Sequence, residues 1–140
     1  MALPQHLQLH IVSADRSLVN EQADEVEIPG ADGYFGVLPG HTPLLAALGV
    51  GELWYRQGQE KHFFSIVLGF AEVQPDRVTI LAQMAEKADE IDVARAEAAK
   101  KRAEERLTSP TSDMDFERAR IAMLKALIRL QVATRARIRS

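Results

Sequence analysis

The sequence predicts a β + α fold, in which an N-terminal antiparallel β-sandwich is followed by a C-terminal antiparallel hairpin of two helices. Short apolar segments separated by turn residues recur up to about residue 85, at the roughly 8–12-residue spacing typical of sandwiches. From residue 92 to residue 107 there is no Gly or Pro, and Ala, Glu, Lys and Arg dominate, which favours a helix. We therefore place the β-sandwich domain at residues 1–85 and the helical hairpin at residues 91–140.

The predicted strands follow from alternating apolar and polar residues and from the turns between them. The segment Leu7–Ile11 alternates with the period of a half-buried strand. Turn signals occur at Pro29-Gly30, at Ala31-Asp32-Gly33 and at Pro75-Asp76. Between these turns we predict further strands, at residues 26–28, 34–37, 49–56, 61–68, 71–73 and 78–81.

Capping residues delimit the two predicted helices. Asp89 or Asp92 caps the first helix, which ends near Leu107. The segment Ser112–Asp115 resembles a capping box and begins a second helix that runs to near Arg137. The first helix has few large aliphatic side chains. The second helix has so many large apolar side chains that a single contact with the first helix cannot cover them all. Such a pair has more than one way to dock, which indicates a movable element.

The net charge of −3 conceals two oppositely charged segments. Residues 1–90 carry 13 acidic and 5 basic side chains, a net of −8. Residues 91–140 carry 7 acidic and 12 basic side chains, a net of +5, and no acid follows Glu117. Segments this different are expected to have different functions.

Several kinds of chemistry lack support in the sequence. The chain has no cysteine, which excludes a thiol nucleophile and a Cys-ligated zinc site. His6 and His10 would lie on one strand face about 13 Å apart, too far to share a metal ion. The segment Gly49–Trp54 lacks the last glycine of a dinucleotide-binding fingerprint, so we interpret it as a turn or bulge. For His41, between two nearby prolines, a role in loop shape or contact is favoured over catalysis.

The N-terminus has neither the positive region nor the apolar run of a targeting signal. The longest apolar stretch, Val37–Val50, is interrupted by polar and turn residues and is too short to span a bilayer. We therefore expect a soluble protein with no direct membrane insertion.

Basic residues form a stripe on each predicted helix. At 100° per residue, Arg118, Lys125 and Arg129 fall within about 20° of one line. Arg95, Arg102 and Arg106 repeat that spacing on the first helix. The two stripes either hold an anion between the helices, since Arg and Lys suit phosphate oxygens, or form a solvated face. Nucleic acid is disfavoured as a partner because aromatic residues for base stacking are scarce here.

Five motifs, distributed along nearly the whole chain, occur in an order known from one family. Residues 24–30 (DEVEIPG) and 36–45 (GVLPGHTPLL) come first, followed by residues 71–76 (AEVQPD) and 78–82 (VTILA). Residues 91–96 (IDVARA) match the pattern Ile/Leu-Asp-x-x-Arg-Ala, which that family links to nucleotide. The chain resembles the F-type ATP synthase epsilon subunit, and in particular its bacterial, bacillus-like members.

The resemblance implies a non-catalytic subunit that regulates and couples the enzyme from its central stalk. In that family the β-sandwich packs on the gamma subunit and the c-ring. The helices act as a brake: folded against the sandwich they permit ATP hydrolysis. Extended alongside gamma into the catalytic head of alpha and beta subunits, they block it. The implied location is peripheral, on the cytoplasmic face of the bacterial plasma membrane.

The resemblance also implies roles for individual residues. The rotor-contact loop comprises Tyr34, Gly40 and His41, with Tyr34-Phe35 standing where many bacterial relatives have Glu-Leu at the c-ring contact. The nucleotide-binding positions are Glu86, Ile91, Asp92, Arg95, Ala96, Arg102, Lys125 and Arg129. The inhibitory basic face comprises Arg118, Arg120, Lys125, Arg129 and Arg135. No cofactor is required, and ATP, alone or with Mg²⁺, is implied as a regulatory ligand that favours the folded hairpin.

Two other classes of function are left open by the residues themselves. One is a freestanding nucleotide-sensing module that uses the cluster of Arg95, Arg102 and Arg129 without any synthase. The other is a small β-sandwich enzyme that uses His41, although the sequence offers no convergent acid–base set for it.

Overall fold

Seven strands and two helices make up the described part of the chain. The computed structural model describes residues 3–108 and 112–139, and the side chains of residue 114 and residues 137–139 lie outside that description. The strands are β1 (Leu7–Val12), β2 (Ser17–Ala23), β3 (Glu25–Gly30), β4 (Gly33–Val37), β5 (Leu44–Gln57), β6 (Glu60–Gln74) and β7 (Arg77–Lys87). A 3-10 turn at Ala88–Glu90 precedes the helices α1 (Val93–Thr108) and α2 (Asp113–Arg139).

The strands form one sheet in the order β2-β1-β7-β6-β5-β3-β4. Buried side chains from all seven strands form a single cluster, so the sheet folds around one core that includes Leu9, Ile28, Phe64 and Ile80. The predicted sandwich followed by helices is therefore confirmed. One pair of neighbours, β1 and β7, runs parallel, contrary to the all-antiparallel prediction. Periodicity assigns each residue to a face of the sheet, but it carries no information about which distant strand lies alongside.

Four strands differ most from the predicted boundaries, and one of them, β7, continues six residues beyond the predicted strand 78–81. The prediction contains no strand at β2, because Asn20, Glu21 and Gln22 are exposed in succession and obscure the alternation. The predicted strands 61–68 and 71–73 are one continuous strand, β6, with positive φ angles of 52° at Leu68 and 124° at Gly69. Strand β5 begins five residues earlier than predicted, because its first half pairs with the continuation of β6 beyond Gly69. The irregular backbone at Leu68 and Gly69 breaks the period-2 pattern locally, and β5 and β6 were therefore both predicted too short.

Side-chain caps begin both helices, as predicted. The Arg95 amide N–H donates to Asp92 Oδ1 at 3.0 Å, which selects Asp92 rather than Asp89 as the N-cap of α1. The Asp115 amide N–H donates to Ser112 Oγ at 3.1 Å and caps α2. Residues 109–111, within the predicted break, lie outside the described residues.

Internal contacts divide the chain into two compact units, Met1–Lys87 and Ala88–Ser140. The first contains the whole sheet, and the second contains the 3-10 turn and both helices. Among the described residues, neither helix has a stretch both long and apolar enough to cross a membrane.

Candidate functional site: the helical hairpin and the loop between β4 and β5

Alanines line the contact between α1 and α2. The two helices pack on each other, and each buries alanines spaced seven residues apart. They are Ala96 and Ala103 on α1, and Ala119, Ala126 and Ala133 on α2, each at most 5% exposed. Because seven residues are close to two helical turns, these positions form one line on each helix, which we call the alanine seam.

The alanine seam contributes little free energy to the packing of the two helices on each other. A buried methyl group contributes about 0.8 kcal/mol, whereas a buried Leu contributes roughly 1.5–3 kcal/mol. Large apolar side chains on α2 remain exposed instead, namely Phe116 at 42%, Leu124 at 37% and Leu127 at 43%. Beside the alanines, α2 buries Val132 at 0% exposed, so small side chains supply most of the fully buried apolar surface, and α2 keeps a second, exposed apolar surface.

Helix geometry places both basic stripes on the same side of the alanine seam. The residues just before seam positions, Arg95 and Arg102 on α1 and Arg118 and Lys125 on α2, lie about 100° from the seam. The helices run in opposite directions and face each other, so this rotation leads to the same side of the hairpin on both. Arg106 and Arg129 follow a seam residue by three positions and lie on that side, nearer the seam. We call these six residues the basic flank.

The basic flank combines charge with partial enclosure. Arg95, Arg102 and Arg118 are exposed, whereas Lys125 and Arg129 are half-buried. Guanidinium groups and a lysine ammonium on one side of two adjacent helices suit the oxygens of a polyphosphate. The arrangement is therefore able to bind an anion that spans both helices.

Two residues of the predicted inhibitory basic face lie elsewhere on α2. Arg120 is one residue after Ala119 and so lies on the opposite side of the seam from the basic flank. It is paired with Glu117, whose Oε2 lies 3.0 Å from Arg120 Nη2. That hydrogen bond lowers the pKa of the Glu117 carboxyl. Arg135 lies about 200° from Ala133, on the outer side of the helix. Helix geometry thus keeps Arg118, Lys125 and Arg129 on one side of α2, whereas Arg120 and Arg135 lie on other sides.

The motif that suggested nucleotide binding lies at the start of α1. Asp92 uses Oδ1 as the helix cap, Ile91 is 8% exposed, and Ala96 belongs to the seam. Of these motif residues, Arg95 therefore has the exposed cationic side chain available to a ligand. Glu86 belongs to the sheet unit, where it lines an open cleft of about 540 Å³ with Ser13, Asp15 and Arg16.

The predicted rotor-contact loop is held by backbone hydrogen bonds. The Gly40 amide N–H donates to the Pro75 carbonyl oxygen at 2.7 Å, which ties the segment between β4 and β5 to the β6–β7 turn. Gly40 has a φ of 87°, a value that favours glycine. The His41 amide N–H donates to the Leu38 carbonyl oxygen at 3.1 Å. Gly40 and His41 thus share a defined loop that also exposes Leu38.

Tyr34 does not lie in that loop. It is near the start of β4, whereas the loop follows the end of β4, roughly 13 Å away at the rise of a strand. Its hydroxyl accepts a hydrogen bond from the Glu52 amide N–H at 3.0 Å. The structure therefore separates Tyr34 from Gly40 and His41.

An exposed apolar row on the sheet was missed by the sequence analysis. Ala47, Phe70 and Leu81 are neighbours in register on β5, β6 and β7. Phe70 is 57% exposed and Leu81 52%, and Leu45, two residues along β5, is 70% exposed. We call Leu45, Ala47, Phe70 and Leu81 the apolar row. The sequence signal for the apolar row is Gly69, because a glycine inside a strand often marks an irregular backbone, and this one directly precedes Phe70.

The histidines near the N-terminus have separate partners. His6 Nδ1 lies 3.1 Å from Asp24 Oδ1, and His10 Nε2 lies 3.1 Å from Ser17 Oγ. The pKa of Asp24 is lowered, first by the hydrogen bond from the Gly58 amide N–H. In the described part of the chain, no group of three His, Asp or Glu side chains is arranged to hold a metal ion.

Comparison with known proteins identifies the class of this two-unit fold. The description "ATP synthase, Delta/Epsilon chain, beta-sandwich domain" matches residues 6–88. Its companion, "ATP synthase, Delta/Epsilon chain, long alpha-helix domain", matches residues 89–134. The chain thus has the sandwich-plus-long-helix architecture of a small ATP synthase subunit. It belongs to the ATP synthase delta/epsilon chain family.

Relatives and solved structures agree with this assignment. The ATP synthase epsilon chain of Syntrophobacter fumaroxidans is 48% identical over 94% of this chain and 98% of its own length. That of Nitratidesulfovibrio vulgaris is 45% identical over 90% and 94%. A chain in the cryo-EM structure of the Euglena gracilis mitochondrial ATP synthase (OSCP/F1/c-ring) has a TM-score of 0.83 and 26% identity, covering 96% of this chain and 84% of that one. The prediction of a non-catalytic epsilon-type subunit is confirmed, whereas the bacillus-like assignment stays a prediction.

Proposed function

We propose that this chain is the epsilon subunit of a bacterial F-type ATP synthase, where it couples and regulates the central stalk. The observation that carries the proposal is the match of both family domains, in order, over residues 6–134. In this proposal the sheet unit docks on the gamma subunit and the c-ring. The hairpin exchanges between a folded state that permits ATP hydrolysis and an extended state that blocks it in the alpha/beta head. In the same proposal, the chain is a peripheral subunit at the cytoplasmic face of the plasma membrane.

Docking of the sheet unit is supported by the apolar row and by the loop of Gly40 and His41. An exposed Phe and Leu side by side on neighbouring strands form a contiguous apolar surface of the kind found at protein interfaces. A solved structure that resembles this chain belongs to an assembly of OSCP, F1 and c-ring. We assign the apolar row to the gamma subunit and the loop, with exposed Leu38, to the c-ring.

The switch is supported by the composition of the hairpin. The alanine seam contributes little burial, so the folded and extended states need differ by only a few kcal/mol. On extension, α2 would offer the exposed Phe116, Leu124 and Leu127 to a new partner. It would also present a helix with no acid after Glu117, which favours an acidic surface of the beta subunits.

The basic flank supports regulation by ATP. A polyphosphate bound there would contact cations on both helices and would be lost when the helices separate. Binding to the folded state alone stabilises that state by RT ln(1 + [ATP]/Kd), about 2.7 kcal/mol at one hundred times the Kd. Arg95, Arg102, Lys125 and Arg129 would hold the phosphates, with Asp92 fixing the start of α1. In this proposal ATP is a regulatory ligand, bound alone or with Mg²⁺.

The docking assignment is tested by binding to the rotor. Phe70→Asp places a charge in the centre of the apolar row, and we expect it to weaken binding to the gamma subunit and c-ring roughly 30-fold or more, about 2 kcal/mol. The measurement is a titration of purified variants against the gamma–c-ring complex, supported by co-purification with the catalytic head. Gln59→Asp adds the same charge in the exposed β5–β6 turn and is expected to bind as the wild type does. Wild-type protein that fails to bind the rotor would contradict the proposal and would favour a freestanding nucleotide sensor.

A further inference from the structure

The ladder between β3 and β5 is interrupted beside Pro29. Glu27 pairs with Trp54 and Gly30 with Leu48, so the segment 49–53 of β5 departs from β3 between these two points. Proline has no amide N–H and cannot donate to a ladder. Amide groups of this segment of β5 therefore need acceptors from somewhere other than β3.

Tyr34 supplies one of these acceptors from the next strand. It is the register partner of Pro29 on β4. Its side chain reaches past Pro29 to β5, where its hydroxyl accepts the hydrogen bond from the Glu52 amide N–H at 3.0 Å. Glu52 is only 7% exposed, so this amide has limited access to water.

Gly51 provides the space that this arrangement requires. A Cβ atom at Gly51 would overlap the Tyr34 hydroxyl and would lie 2.6 Å from Pro29 Cβ. Three residues on three strands thus fit one another: a proline that cannot donate, a tyrosine that crosses it and a glycine that leaves room for the phenol. We call this contact the Tyr34 bridge.

We infer that Tyr34 is a positioning residue, which holds β4 and the loop that follows it through the Tyr34 bridge. Within the described residues β4 is an edge strand, and its ladder hydrogen bonds run to β3 alone. The Tyr34 bridge adds a direct connection from β4 to β5, the long strand on which the loop ends. The loop of Gly40 and His41 is thereby held through two contacts, the Tyr34 bridge on the strand that precedes it and the Gly40–Pro75 hydrogen bond within it. This inference rests on the proposed function only for the role of the loop in docking.

The Tyr34 bridge is tested by amide hydrogen exchange on the full chain, free in solution. In Tyr34→Phe the ring remains and only the hydroxyl is lost. We expect the Glu52 amide to exchange at least about tenfold faster, and the Gly40 amide several-fold faster, relative to the core amide of Ile80. Gly51→Ala displaces the ring and is expected to act in the same direction. The matched control is Tyr55→Phe, which removes the hydroxyl that donates to Glu21 Oε2 at 3.1 Å and is expected to leave both ratios unchanged.

Binding to the gamma–c-ring complex completes the test. Tyr34→Phe is expected to weaken it about three- to tenfold, with the midpoint of urea unfolding close to that of Tyr55→Phe. Unchanged Glu52 exchange in Tyr34→Phe would overturn the Tyr34 bridge. Faster Glu52 exchange with unchanged Gly40 exchange, or with unchanged rotor affinity, would overturn the positioning role. Failure of the wild type to bind the rotor would overturn the proposed function, while the exchange rates of the free chain still decide the Tyr34 bridge.

Discussion

Removal of residues 91–140 is expected to raise the ATPase activity of the assembled synthase at least about fivefold, the lower end of ordinary allosteric coupling. The deletion removes α1 and α2 and leaves every strand of the sheet unit in place. Because the apolar row lies in the sheet unit, the truncated chain should still dock on the rotor. Hydrolysis would then lack its brake. The measurement compares steady-state ATP hydrolysis of complexes assembled with full-length and truncated chains, at low ATP and in the presence of ADP.

Rotor binding by the truncated chain serves as the control for this experiment. Equal amounts of both chains in the purified complexes would show that the sheet unit docks without the hairpin. Hydrolysis that is unchanged in such complexes would contradict the proposal that the hairpin is a brake.

A larger side chain in the alanine seam is expected to act in the opposite direction. Ala126 is 1% exposed, and a Leu there would force the helices apart at a cost of about 1–3 kcal/mol to the folded hairpin. That cost corresponds to a shift of roughly five- to 150-fold towards the extended state. We expect Ala126→Leu to lower the ATPase activity of the assembled enzyme and to raise the ATP concentration needed for relief.

The matched control for the seam is Ala98→Leu on α1. Ala98 is exposed and lies about 200° from Ala96, on the outer side of the helix. The same added volume should there leave ATPase activity and its ATP dependence unchanged. Equal effects of the two substitutions, or no effect of Ala126→Leu, would contradict a switch that depends on closure of the seam.

Local signals were sufficient to predict much of the fold. The starts of α1 and α2 could be predicted from capping residues, which in the structure are Asp92 and Ser112, because a cap depends on residues only three positions apart. The alternation in Leu7–Ile11 likewise depends on neighbours in the chain. The parallel pairing of His10 with Thr79 does not, and no local pattern encodes it. The exposed polar run of β2 and the irregular Gly69 in β6 hid strands for the same reason: each is stabilised by residues distant in sequence.

For the candidate site, as for the fold, the sequence predicts features that depend on one helix but not those that depend on how distant segments pack. Helical periodicity alone shows that Arg118, Lys125 and Arg129 share a line, because the period is a property of one helix. That the stripe of α1 lies on the same side follows only when the alanine seam fixes how the helices face each other. The ion pair of Arg120 with Glu117 is also encoded locally, because residues at i,i+3 spacing are neighbours on a helix. The role of Tyr34 on β4 is not, since it depends on contacts with Pro29 on β3 and with Gly51 and Glu52 on β5.

In the proposed switch, ATP binds the basic flank and thereby holds the hairpin folded. Titration of the isolated full-length chain with ATP, by calorimetry and by the shift of its thermal unfolding midpoint, tests this most directly. We expect saturable binding of one ATP with a raised unfolding midpoint, and an affinity lowered at least about tenfold in Arg95→Ala. Arg120→Ala, on the opposite side of the seam, should bind ATP as the wild type does. Absence of binding by the wild type, or equal loss in Arg95→Ala and Arg120→Ala, would contradict this role of ATP.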